Sequence, residues 1–159
     1  MSKQFDVIVI GGGPGGYVAA IRASQLGFNV ACIDEWKNAK GGPALGGTCT
    51  NTGCIPSKAL LQSSEYYEHA GKHFADHGIE VKGLGLDVAK MVGRKDTVVK
   101  QNNDGIVYLF KKNKVTFFHG RGSFVAAKDG AYDIKVAGAA EETISGKHII
   151  VATGSNARA

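Results

Sequence analysis

The stretch Phe5–Gly27, "FDVIVIGGGPGGYVAAIRASQLG", decides the fold. Phe5 to Ile10 is a β-branched run without polar alternation after Asp6, the pattern of a parallel strand buried on both faces. The glycines that close it are followed by Val18, Ala19, Ile21, Arg22 and Leu26 at helical spacing. Pro14 suits a first helical position and Gly27 a helix stop. Asn29 to Ile33, "NVACI", then predicts a second strand. Together the segments match the roughly 30 residues of a βαβ unit with its right-handed crossover.

Between strand and helix, Gly11, Gly13 and Gly16 form G-x-G-x-x-G. Alone the pattern is weak; in this context each glycine has a physical task. Gly11 allows the tight turn, Gly13 lets a pyrophosphate approach the backbone, and Gly16 lets helix pack on strand. The helix N-terminus then offers N–H groups and a positive dipole end to phosphates. An acid at the end of the second strand is the expected partner of ribose hydroxyls, and Asp34, 18 residues after Gly16, is followed directly by Glu35. A carboxylate there repels a 2′-phosphate, which favours NAD or FAD over NADP.

Further along, "EWKNAKGGPALGGT" reads as a loop whose glycines, Gly41, Gly42, Gly46 and Gly47, predict a close backbone approach. Helical periodicity returns at Pro56 through "SKALLQSSEYYEHAGKHF", and a longer helical stripe covers Asp87 to Lys112, weakened by Gly93 and Gly105. "KVTFFHG", "GSFVAA" and "YDIKVA" predict three short strands, "KDGAY" a hairpin turn, and "KHIIVATGSNARA" a last buried strand ending in glycine.

Composition narrows the class. The chain has 159 residues, 43% hydrophobic and 21% charged, enough for one ordinary core of a soluble globular domain. Its start is too short in apolar residues for a signal peptide, and no segment approaches the roughly 18 apolar residues of a membrane span, so a cytoplasmic setting is expected, without a membrane partner. The net charge of +5 comes from scattered basic residues; the densest group, "KKNK" at 111–114, ends a predicted helix and has no interleaved aromatics. Nucleic acid is therefore not an expected partner.

Three cysteines, Cys32, Cys49 and Cys54, do not make a stapled secreted scaffold. Cys32 lies in an apolar run and reads as a small buried hydrophobe. Cys49 and Cys54 admit three readings. As zinc ligands they would join His69 and His73 at near-finger spacing, but a helix start at Pro56 replaces the hairpin a finger needs. A static disulfide over so short a loop adds little and opens in reducing cytosol. A redox pair accounts for more of the neighbourhood. Cys54, before a helix N-terminus with Lys58 one turn on, has a stabilised thiolate, and Cys49, in the glycine loop, is expected to be the more accessible sulfur. That asymmetry suits exchange with a substrate dithiol on one side and a flavin acceptor on the other.

The motifs "DVIVIGGGPGGYVAAIRASQLG", "GGTCTNTGCIPSKALL" and "IIVATGS" resemble the flavin-dependent pyridine nucleotide-disulfide oxidoreductases over essentially the whole chain. "GCIPSKALL" and the first helix are most similar to members that oxidise protein-bound dihydrolipoamide and reduce NAD+. The resemblance implies an α/β, Rossmann-type FAD-binding domain, a parallel sheet with helices plus a small antiparallel β-meander. It implies FAD with its diphosphate over Gly11, Gly13, Pro14, Gly15 and Gly16, its adenosine ribose near Asp34 or Glu35, and its flavin beside Gly47, Thr48, Cys49 and Lys58. Gly120, at a strand end, is implied near the adenine, and Ala152, Thr153 and Gly154 form a second flavin-binding stretch. As catalytic pair, Cys54 contacts the flavin and Cys49 exchanges with dihydrolipoamide; no metal is implied.

Implied partners are the lipoyl group of a 2-oxoacid dehydrogenase or glycine cleavage complex, and a second copy in a homodimer. Mercuric-ion or low-molecular-weight disulfide reduction, and a non-catalytic zinc-stabilised module, are the alternatives. Two departures stand out. Where members usually have "LNV" between the cysteines, this chain has Thr50, Asn51 and Thr52. Members also continue into NAD-binding and dimer-interface domains, the latter with a His-Glu general base. Residues 1–159 therefore read as the N-terminal part of the FAD-binding domain, inactive alone, with no base among its five histidines.

Overall fold

The computed structural model describes residues 3–128, 130–139 and 141–155. Strand β1 (Lys3–Ile10) leads through the glycines into helix α1 (Pro14–Gln25), and strand β2 (Val30–Asp34) completes the βαβ unit. A one-turn helix α2 (Gly47–Asn51) precedes the long helices α3 (Cys54–Lys72) and α4 (Val88–Lys112), with a 3₁₀ turn at Phe74–His77 between them. Strands β3 (Thr116–Lys128), β4 (Ala131–Gly138) and β5 (Glu142–Val151) finish the chain.

β1 pairs in parallel with β2 and with β5, and β2 pairs in parallel with the start of β3. β4 then joins the outer parts of β3 and β5 in antiparallel register, so the five strands close into one ring. Sheet and meander are thus built from shared strands. The expected strands "KVTFFHG" and "GSFVAA" are one continuous β3. Its first part follows β2 as far as the pair Asp34–His119, and at Gly120, opposite Gly138, it turns to β4. Side chains have no room at that crossing: a Cβ on Gly120 would lie 2.6 Å from Ala137 O, and one on Gly138 2.3 Å from His119 O. Gly120 is accordingly a mid-strand crossing point rather than a strand end.

Alternation along β1 and β2 feeds two cores. Phe5, Ile8, Ile10, Ala31 and Ile33 point inside the ring with Phe118, Ile134, Val136 and Ile144. Val7, Val9, Val30 and Cys32 point the other way, against Ala20 of α1, Leu45, and Ile106 and Phe110 of α4. Ile8, Val9, Ala31 and Cys32 have no exposed surface at all, as strands covered on both faces require. Burial pushes the Cys32 thiol up to about 12, with the Asp34 charge adding to it. The bland reading of Cys32 as a buried hydrophobe therefore holds.

The expected helix at Pro56 begins two residues earlier, at Cys54, with Gly53 as N-cap. α4 starts where the periodicity places it, capped by the Asp87 carboxylate, which accepts from Lys90 N at 2.9 Å. Gly93 and Gly105 stay inside α4 without breaking it. Arg94 ties α4 to α3 by donating to Ala59 O at 3.0 Å and Gln62 Oε1 at 2.7 Å. At the hairpin, Gly130 has φ +74° and Lys128 pairs with Ala131; Asp129, the other turn residue, lies outside the described residues, as do 156–159 of the last segment.

Candidate functional site: a nucleotide loop and a cysteine pair

The nucleotide loop grows from the end of β1. Gly11 N–H donates to Ile33 O at 2.7 Å, and Gly11 adopts φ +110° so the chain can turn at once into α1. A Cβ on Gly11 would fall 2.1 Å from Ala152 O, and one on Gly16 1.7 Å from Gly11 O. These two glycines are therefore fixed by the protein's own backbone. Gly13 differs: its Cβ would meet only Gly47 Cα, at an ordinary 3.7 Å, and a Cβ on Gly15 would meet nothing within 4 Å. Pro14 opens α1 and the first turn carries no acidic side chain. The open, positively polarised helix end at Gly13–Gly16 is a fitting cradle for a diphosphate.

Beside it, a cleft of about 310 Å³ is lined by Ile10, Gly11, Ile33, Asp34, Glu35, Arg121, Gly122, Thr153, Gly154 and Ser155. The structure thus brings both strand-end acids and the "ATG" segment to the mouth of the glycine loop. Ala152 N–H donates to Ile10 O at 2.8 Å, which fixes that segment against β1. The two acids are not equivalent. Asp34 Oδ2 accepts from Gly12 N at 2.6 Å and its Oδ1 from Trp36 N at 2.8 Å, so its carboxylate holds two loops. Glu35 is exposed and free of such backbone bonds among the described residues. Arg121, Gly122 and Ser155 are lining residues that the sequence reading missed, whereas Gly120 contributes its crossing and not a wall. The second G-x-G, Gly120–Gly122 within β3, was the available signal.

The cysteine segment docks on the same loop. Gly46 N–H donates to Gly12 O at 2.8 Å, and a Cβ on Gly47, at φ +57°, would lie 2.8 Å from Gly13 Cα. The glycines of "GGPALGGT" thus do mark a close backbone approach, and its target is the first glycine loop. Thr50 is buried beneath Gly46, whose Cβ would meet the Thr50 side chain at 2.4 Å. That explains one of the two threonines between the cysteines; Thr52 is exposed, and its hydroxyl reaches Thr48 O at 3.4 Å.

Cys49 sits on α2 and Cys54 opens α3, with the two sulfurs near disulfide distance and both thiols free. The Cys49 thiol is raised above its ordinary value, first by its hydrogen bond to the Cys54 sulfur and then by partial burial. The Cys54 backbone N–H and the Lys58 charge act in the opposite direction. Exposure runs against expectation: Cys54 is exposed and Cys49 half-buried, because Cys49 is carried on an ordered helical turn packed on the nucleotide loop and not on a free loop. His69 and His73 meet edge to face on the far part of α3, with ring centroids 5.2 Å apart. Among the described residues no three His, Cys, Asp or Glu side chains cluster as metal ligands, so the zinc shell of Cys49, Cys54, His69 and His73 does not form. Among the same residues, no helix is long and apolar enough to cross a membrane.

Comparison with known proteins agrees with this geometry. The family model described as pyridine nucleotide-disulphide oxidoreductase matches residues 5–159. The chain is 55% identical to a dihydrolipoyl dehydrogenase of Cupriavidus necator, over 99% of this chain and 33% of that protein. It is 52% identical to a mitochondrial dihydrolipoyl dehydrogenase of Pisum sativum, over 99% of this chain and 30% of the relative. It is 50% identical to a leghemoglobin reductase of Vigna unguiculata, again over 99% of this chain but 28% of the relative. The chain thus spans about a third of the length of these relatives. A glycine loop with room for a diphosphate, two thiols near bonding distance docked on it, and a family match over nearly every residue have one common reading: this chain belongs to the pyridine nucleotide-disulphide oxidoreductase family.

Proposed function

We propose that the chain is the N-terminal part of the FAD-binding domain of a dihydrolipoyl dehydrogenase, and that it holds the redox disulfide Cys49–Cys54 against the flavin. The observation that carries this reading is the docking of the cysteine-bearing α2 on the nucleotide loop, with Cys49 near disulfide distance of Cys54. FAD, when bound, accepts the electron pair from a thiolate and passes it to NAD+ as hydride. Gly13, Pro14, Gly15 and Gly16 would hold its diphosphate, Glu35 its ribose, with Asp34 setting the loop, and Thr48, Cys49 and Lys58 would lie beside the flavin. Ala152, Thr153 and Gly154 would close the same site from β5.

In the disulfide state, one thiolate of dihydrolipoamide attacks Cys49 Sγ; the Cys49–Cys54 bond breaks and Cys54 leaves as thiolate. The second substrate thiol then closes the lipoamide ring and releases Cys49, so two electrons now reside on the chain's dithiol. Cys54, at the N-terminus of α3 with Lys58 one turn on, is the flavin-side sulfur in this reading. The roles rest on that helix-end position of Cys54, since exposure orders the two sulfurs the other way. The lipoyl group of a 2-oxoacid dehydrogenase or glycine cleavage complex, a homodimer and a cytoplasmic setting belong to the same reading. Relatives named dihydrolipoyl dehydrogenase support it over mercuric or low-molecular-weight disulfide reduction.

The test is stoichiometric reduction of the oxidised chain by dihydrolipoamide, followed by alkylation and mass analysis. Two new labels, on Cys49 and Cys54, are expected, formed faster than with reduced glutathione at equal thiol concentration. No labels, or preference for glutathione, would overturn the substrate assignment. NADH formation from dihydrolipoamide and NAD+ by this chain alone would contradict its being only part of the catalytic unit.

A further inference from the structure

We propose that Asn103 is a positioning residue for the redox pair, acting through Asn51 to hold Cys49 at bonding distance from Cys54; this rests on the reading of the pair as a working disulfide. Asn103 lies on α4, 49 residues after Cys54 in the sequence. Its Nδ2 donates to Leu45 O at 2.6 Å and to Asn51 Oδ1 at 3.1 Å. Asn51 in turn donates from its own Nδ2 to Gly47 O at 2.9 Å and Ala44 O at 3.2 Å. Two half-buried carboxamides therefore take the carbonyls of residues 44, 45 and 47 and orient each other.

The two cysteines depend on this lattice unequally. Cys54 begins a 19-residue helix that is pinned to α4 by Arg94. Cys49 rides on α2, which has five residues and no side-chain N-cap bond. A single turn has no stability of its own, because nucleation fixes many dihedrals for one hydrogen bond. Its place is set from outside, by Gly46 N on Gly12 O and by the Asn51–Asn103 pair. Asn103 is thus the link through which the rigid α4 holds the weaker of the two cysteine carriers.

The consequence is a redox poise. When the disulfide is reduced by dithiothreitol, its S–S bond breaks, two electrons and two protons pass to Cys49 and Cys54, and dithiothreitol closes to its cyclic disulfide. The equilibrium depends on how often the two protein thiols meet again. Loosening α2 lowers that effective concentration and makes the disulfide easier to reduce. Removing Asn103 is expected to shift the exchange constant about tenfold, which is about 30 mV for a two-electron couple, toward a less negative potential.

A matched control lies next door. Asn102 spends its carboxamide on Val98 O, at 2.8 Å within α4 itself. Wild type, N103A and N102A, each as the full 159-residue chain, would be equilibrated in graded dithiothreitol buffers, and the Cys49 and Cys54 thiols counted by alkylation and mass analysis. The expected result is a tenfold shift for N103A and none for N102A. Equal midpoints for N103A and wild type, or equal shifts for both variants, would overturn the proposal. If N103A does not fold, Asn103→Ser, whose hydroxyl keeps one donor, is measured on the same criterion, with a smaller shift in the same direction expected. A wild type whose pair shows no reversible disulfide at all would instead sink the functional reading on which this rests.

Discussion

Gly47 lies so close to Gly13 that a Cβ on Gly47 would sit 2.8 Å from Gly13 Cα, which makes the two glycines the contact between cysteine segment and nucleotide loop. The cysteine segment and the glycine loop are thereby packed directly on each other. Gly47→Ala adds a left-handed penalty at φ +57° to this overlap, and together they should cost about 2–4 kcal/mol. Gly27→Ala is the control, since Gly27 has φ +94° and open space around it. Urea unfolding is expected to show the larger loss for Gly47→Ala, and equal losses would mean that strain alone is at work.

In the proposed reading Asp34 is a structural acid and Glu35 the ligand acid. Asp34→Ala strips the Gly12 and Trp36 N–H groups of a charged acceptor, an expected stability loss of about 1.5–3 kcal/mol. Glu35→Ala removes an exposed group and should stay within about 0.5 kcal/mol of wild type. FAD affinity should fall in Glu35→Ala without that stability loss, as read by unfolding midpoints beside flavin fluorescence titrations.

Cys32 should be inert to iodoacetamide in the native chain while Cys54 reacts, because only the latter is exposed. Its folded value of about 12 lies above the reference 9.0, so folding favours the protonated thiol. That contribution is complete below pH 9 and is lost as pH rises toward the folded value. At pH 10 the loss attributable to this thiol is about 1.4 kcal/mol relative to pH 7. The difference in stability between wild type and Cys32→Ala should shrink by that amount, measured by urea unfolding at the two pH values.

Much of this was legible in the sequence because it depends on local chemistry. The βαβ unit follows from Phe5–Ile10, Pro14 and Gly27, and the helix α4 from its stripe and Asp87. The close approach of Gly46 and Gly47 was legible too, but not its target, which needs tertiary contact. The length of β3 was not, because Gly120 and Gly122 look like breaks when they are in fact the places where backbones cross and Ile10 packs. Nor could spacing show that Cys49 would ride on an ordered turn. That turn is held by Asn103, an ordinary polar residue in a helical stripe, whose meaning lies entirely in what it touches across the fold.

The most direct test of a flavin-coupled disulfide on a nucleotide loop is an FAD titration of the wild-type chain and Gly13→Ala, read by flavin fluorescence alongside unfolding midpoints. A Cβ on Gly13 meets only an ordinary 3.7 Å contact, so this substitution fills the diphosphate's approach while leaving the fold intact. The account predicts saturable one-to-one binding to wild type and at least about a tenfold loss for Gly13→Ala at an unfolding midpoint within about 1 kcal/mol of wild type. No binding by the folded wild type, or equal binding by both chains, would contradict it.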